Sequence, residues 1–218
     1  MSEPEGVVGE PRWPVTLAVL VLMALSLTMP GDLRIAPDWL VPAVLGMLTV
    51  TLTLGDPGRI TRRSTFLRWV SIALVAVLAL SAIVFTARLI HELVVGGPDL
   101  ETAGSLLRAG GAVWLGNCIA FALLFWEFDC GGAAARAHGL PPSPAFAFPQ
   151  QLKPELAPAG WRPTFVDYLY VGFTNGIAFS PTDAMPLARW AKLAMTVQAV
   201  TSFAILGLVI ARAVNVFT

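Results

Sequence analysis

The stretch Trp161–Asp183, WRPTFVDYLYVGFTNGIAFSPTD, decides how this chain is read. It is too polar for a plain membrane span and too apolar for a water-exposed loop. Asp167, Thr174, Asn175, Thr182 and Asp183 stand among aromatic residues, and a long apolar run follows towards Thr218. Irregular backbone at membrane depth is tolerated only where protein or trapped water satisfies its N–H and C=O groups. The stretch therefore predicts a segment dipping into a membrane inside a protein-lined cavity. Pro163 stands where a helix-opening proline belongs, and Phe165, Tyr168, Leu169 and Gly172 share one helical face, which predicts a short helix over 164–172. Thr174-Asn175-Gly176 reads as its end, and Pro181 and Pro186 forbid a continuous helix through Asp183.

Outward from that stretch, composition points the same way. Of 218 residues, 56% are hydrophobic and 13% charged, with mean hydropathy +0.72. Soluble domains carry roughly 45–50% apolar and about 25% charged residues. The fold class expected is an all-α integral membrane protein. Fourteen basic residues balance fourteen acidic ones, so no basic surface argues for nucleic acid. Cys118 and Cys130 lie twelve positions apart on one expected helix, about 18 Å at 1.5 Å per residue, too far to bridge. Both read as packing residues.

Five apolar runs are expected to span: 13–31, 39–54, 69–87, 109–126 and 193–211, with the short helix before the last as a re-entrant or pore-like element. The organisation expected is a disordered tail over 1–12, a four-span bundle over 13–129, a Gly/Ala/Pro-rich loop over 130–162, and the pore-like segment with the final span over 163–218. The first run lacks the basic start and small-residue exit of a cleaved signal peptide. Arg59, Arg62, Arg63 and Arg68 follow the second run, and such clusters stay cytoplasmic, which places the N-terminus inside a multi-pass cell-membrane protein. On that topology ten basic residues lie inside and four, Arg34, Arg88, Arg108 and Arg212, outside.

Several residues stand out chemically. Arg88, His91 and Glu92 share a face at the end of the third run, as an interfacial ion-pair group or a proton relay. Ala112, Gly116 and Ala120 form a small-residue stripe that invites another helix, and Asn117 beside it is expected to hydrogen-bond across helices. Glu127, Asp129 and His138 are too few for a metal site, and neither cofactor nor metal is expected. Asp167 either marks a functional cavity or pairs with Arg162 or Arg212 to hold the segment down. Gln198, Thr201 and Arg212 fall on a polar seam along the last run. The candidate path-lining residues are Thr174, Asn175, Gly176, Thr182 and Asp183, and the candidate structural polar residues are Asn117, Asp167, Gln198 and Arg212.

Phe148-Pro149-Gln150, Trp161, Pro163, Phe165, Asp167-Tyr168-Leu169-Tyr170, Phe173-Thr174, Gly176 and Thr182-Asp183 form a pattern that resembles a bacterial family of integral membrane proteins known only as a domain of unknown function. That resemblance covers most of the chain and implies a membrane location without an activity. The last third also resembles the pore module of potassium-type channels: Leu169–Phe173 looks like the end of a pore helix, Thr174 and Gly176 like the start of a filter, Asp183 like the closing acid, and Leu187–Asn215 like an inner helix. Ile177-Ala178-Phe179-Ser180-Pro181 replaces the glycine-tyrosine-glycine core, so no potassium selectivity is implied. The expected topology also has the segment entering from the cytoplasm, opposite to such channels.

No G-x-S-x-G, zincin or Walker pattern is present, and no enzyme is expected. Two functions follow: a channel-like or transport homo-oligomer in the lipid bilayer, its solute unnamed, or a non-conducting membrane scaffold whose polar seam binds a partner helix.

Overall fold

In the computed structural model, residues 9–34, 36–95, 102–139, 143–178 and 184–217 are described. Three helices are long and apolar enough to cross a membrane: α3 (Thr65–Val95), α4 (Ala103–Phe128) and α8 (Arg189–Phe217). α1 (Trp13–Leu27) and α2 (Leu40–Gly55) are also apolar, but their 15 and 16 residues reach only about 22–24 Å at 1.5 Å per residue, short of the roughly 30 Å hydrocarbon layer. The fold is therefore a mostly helical one with three helices of spanning length, and two of the five expected runs make shorter helices.

α4 is the axis. Two thirds of its most apolar window, 67%, is buried against 33% for α3 and 28% for α8, so the other helices pack around it. Thr102 opens it, its hydroxyl accepting the Ser105 N–H at 3.1 Å, as an N-cap should. The two termini of this axis define two ends of the molecule. At one, a two-residue antiparallel ribbon of β1 (Glu10–Pro11) and β2 (Arg59–Ile60) lies beside the start of α1, the end of α2 and the start of α3. We call it the arginine end, because Arg12, Arg59, Arg62, Arg63, Arg68 and Arg136 gather there. At the other end Met29, Leu33, Leu89, Leu93, Leu106, Ile205 and Val209 close a separate apolar cluster.

Three departures from the sequence reading concern the arginine end. Gly9–Arg12 is not part of a disordered tail: Glu10 pairs with Ile60 in the ribbon, and its carboxylate takes the Trp126 indole N–H at 2.8 Å and the Arg136 guanidinium at 2.8 and 3.1 Å. The stretch over 130–162 holds short elements in its described part, namely α5 (Ala133–Ala137), β3 (Phe146–Ala147) and α6 (Pro149–Leu152). It lacks apolar periodicity because its order comes from single buried anchors, chiefly Phe146, which is fully buried against Phe125, Tyr168 and Trp190 at ring distances of 5.2, 6.2 and 6.0 Å. Cys130, Gly131 and Gly132, with φ of 49°, 74° and 93°, form the left-handed turn that folds this stretch back under α4.

The third departure is α7 (Phe165–Ala178). The helix expected over 164–172 runs on through Thr174-Asn175-Gly176, so these residues do not begin an extended segment. β4 (Met185–Pro186) then pairs antiparallel with β3, and the Leu187 N–H reaches the Ala145 carbonyl at 2.8 Å. The chain is thus back beside the start of α7 when α8 begins.

Candidate functional site

The residues singled out in the sequence converge on the contact between α4, α7 and α8. At its base, Thr164 and Asp167 close the start of α7: the Thr164 N–H and hydroxyl both donate to Asp167 Oδ2, at 2.7 and 3.0 Å, half of a capping box. Asp167 therefore caps its own helix and pairs with neither arginine expected for it. Arg162 instead donates to the Arg136 carbonyl at 2.8 Å, and Arg212 lies on α8 beyond Val209, near the far end.

One turn on, the Tyr168 hydroxyl donates to Asp129 Oδ2 at 2.5 Å, while Asp129 Oδ1 accepts the Ala145 N–H at 2.6 Å. Arg136 lies over the rings of Tyr168 and Trp126 at 5.3 and 5.8 Å and donates to the carbonyls of Trp126 and Asp129, both at 2.8 Å. Burial alone would lower the Arg136 pKa, but the negative charge facing it, Glu10 first, carries it above the ordinary value. The side chain therefore stays a cation in its buried position, and it ties the ribbon, α4 and α7 together.

At mid-length the helices come close. A Cβ on Gly172 would lie 2.7 Å from the Cys118 carbonyl oxygen and 3.1 Å from Ala122 Cβ, and one on Gly176 would lie 2.8 Å from Cys118 Sγ. Only glycine permits this approach. Gly172 and Gly176 are a G-x-x-x-G pair, a signal present in the sequence but hidden by reading Thr174-Asn175-Gly176 as the helix's end. The Ala112, Gly116 and Ala120 stripe is not the tight contact: a Cβ on Gly116 would meet only Leu22 of α1, at 3.8 Å.

Side-chain amides lace the same contact. Asn175 donates to Gln198 Oε1 at 2.8 Å and to the Met195 carbonyl at 2.9 Å, and Gln198 donates to the Gly172 carbonyl at 2.7 Å. Asn117 donates to the Thr201 and Ser202 hydroxyls, both at 3.1 Å, and the Trp114 indole N–H reaches the Gly176 carbonyl at 3.4 Å. The Thr174 hydroxyl turns back to the Tyr170 carbonyl at 2.8 Å. So Asn117, Asn175, Gly176 and Gln198 meet in one buried seam, Thr174 sits beside it, and Thr182 and Asp183 lie outside the described residues.

The other groups weighed in the sequence do not converge. Glu127 faces Arg68 and Ser71, Asp129 faces Tyr168, and His138 Nδ1 lies 2.8 Å from the Ala134 carbonyl on the surface. Among the described residues no group of three or more His, Cys, Asp or Glu side chains is arranged to hold a metal ion. His91 Nδ1 is 3.3 Å from Glu92, on an exposed part of α3. Compared with protein-family models, curated proteins and solved structures, the chain finds no match.

Proposed function

We propose that this chain is a non-enzymatic, multi-pass membrane protein of pore-loop type, a channel-like or transport subunit that works as a homo-oligomer. The observation that carries the reading is the path of α7. Its 14 residues rise about 21 Å, nearly as far as α1, but where α1 runs from the ribbon to the apolar cluster at the far end, β4 brings the chain after α7 back to the level of Tyr168 before α8 sets out. Span, short helix, return and span is the order of a pore module. In this reading α1, α2, α3, α4 and α8 cross the membrane, α7 is re-entrant, and the arginine end with the N-terminus faces the cytoplasm.

Of the path-lining candidates among the described residues, Asn175 and Gly176 are consumed in holding α7 to its neighbours and Thr174 in bonding its own helix. The same engagement favours a second reading, a non-conducting scaffold, because the seam's polar side chains satisfy one another and leave little for a solute. Ion flux into liposomes containing only the purified protein separates the two. Flux that falls or changes ion preference in Asp183→Asn supports the pore; sealed liposomes at every protein density support the scaffold.

A further inference from the structure

We propose that the cavity at the arginine end is a binding site for a phosphate-bearing anion, the headgroup of an acidic phospholipid or free phosphate. The cavity, about 490 Å³, opens between the end of α2, the ribbon, the start of α3 and the end of α4. Arg12, Arg62, Arg63 and Arg68 line it against Asp56 and Glu127, which leaves two positive charges in excess. Asp56 is spent: its Oδ2 lies 3.5 Å from Arg12 and accepts the N–H groups of Thr61 and Arg62 at 2.9 and 3.0 Å. Glu127, buried in the wall, is paired with Arg68 and takes the Ser71 hydroxyl at 2.7 Å.

The excess therefore sits on Arg62 and Arg63. Among the described residues the Arg62 guanidinium donates only to the Gly55 carbonyl, at 3.1 Å, and Arg63 has no ion pair. Guanidinium forks match phosphate oxygens in pairs. Ser64 and Thr65 also line the space, so the positive end of the 31-residue α3 adds to the same field. Burial holds the Arg12 guanidinium below its ordinary pKa despite Asp56 and Glu127, and an added anion relieves that cost. The depth suits a lipid headgroup, because the exposed side chains of Trp13, Leu54, Phe66 and Trp69 flank these residues as an interfacial aromatic belt does.

The test uses the purified full chain in a neutral detergent, titrated separately with phosphatidylglycerol, phosphatidylcholine and orthophosphate, and read by thermal melting. A saturable, salt-sensitive rise is expected with phosphatidylglycerol and not with phosphatidylcholine. Arg62→Gln with Arg63→Gln should weaken binding about thirtyfold, the share of two basic side chains at an anionic surface, and the ligand-free protein should melt as the parent does. If the pair fails to purify, Arg63→Gln alone serves, with a smaller loss. Saturation by orthophosphate as well makes the source a free phosphate; saturation by phosphatidylglycerol alone makes it the lipid. A rise of equal size with phosphatidylcholine, no rise with either anion, or variants that respond like the parent would overturn the proposal.

Discussion

Replacing Gly172 by Ala tests the packing that holds α7 in place. The new methyl would sit 2.7 Å from the Cys118 carbonyl and 3.1 Å from Ala122 Cβ, and the first of these neighbours is backbone that cannot swing aside. α7 must back away from α4, an overpacking cost of about 1–3 kcal/mol. That movement also strains the Gln198 bond to the Gly172 carbonyl and the Asn175 bond to Gln198, roughly 0.6 kcal/mol each for interhelical bonds in membranes. Alanine returns about 1 kcal/mol of helix propensity. The expected net is a loss of about 2 kcal/mol, or about 4–8 °C in melting temperature for a protein of this size. Gly111→Ala is the control, since a Cβ there meets nothing within 4 Å, and it should melt at or slightly above the parent. Purified variants in detergent, followed by helical circular dichroism, give the comparison. If Gly172→Ala melts with the control, the helices do not touch as described and the argument fails.

Tyr168→Phe removes the donor to Asp129 Oδ2, leaves a buried carboxylate short of a partner, and should cost about 1–3 kcal/mol in the same melt; an unchanged melting temperature would mean that Asp129 finds its stabilisation elsewhere. Arg136→Gln strands the Glu10 carboxylate and the carbonyls of Trp126 and Asp129, for an expected loss of about 3–5 kcal/mol, and Gly9–Arg12 should become sensitive to protease; persistence of protection there would show that the ribbon does not depend on this side chain. Asn175→Ala and Gln198→Ala should each destabilise, with a coupling of about 0.5–1.5 kcal/mol in a double-mutant cycle. Strict additivity would separate the two amides.

The long helices were legible because apolar runs of 16 to 19 residues admit one reading in a chain this poor in charge. The length of α2 was also legible, Leu40–Gly55 against the expected 39–54, but others were not: α1 ends at Leu27, short of the expected 31, and α3 begins at Thr65 and extends to Val95, well beyond the expected 69–87. Amphipathic ends carry no apolar signal, so hydropathy trims them. Asn117, Gln198 and Asn175 were recognisable as buried amides, but their partners are residues 20 to 85 positions away, which no local pattern encodes. Thr174-Asn175-Gly176 misled because a glycine that closes a helix and one that permits close packing look alike in sequence, and only the facing Cys118 and Ala122 decide between them. Glu10 as the acceptor for Arg136 and Trp126, 126 and 116 positions on, left no trace in a segment whose composition reads as a tail.

In the pore-loop reading α7 does not reach the second interface and is not held by both as a spanning helix is, so its positioning must come from side-chain contacts along its length. The structure supplies them in two tiers, the Asp167 cap and the Tyr168–Asp129 bond at the base and the glycine and amide contacts at mid-length. Both tiers are supplied by α4, α8 and the segment between them. The opposite face of α7, with Val166, Tyr170 and Ile177, is more than half exposed at each of these positions among the described residues. An apolar face of this kind must be covered by lipid or by another copy. In the pore-loop reading a neighbouring subunit covers it, so the same fastening that denies Asn175 and Gly176 a place on the path leaves α7 rigid enough to carry one between subunits.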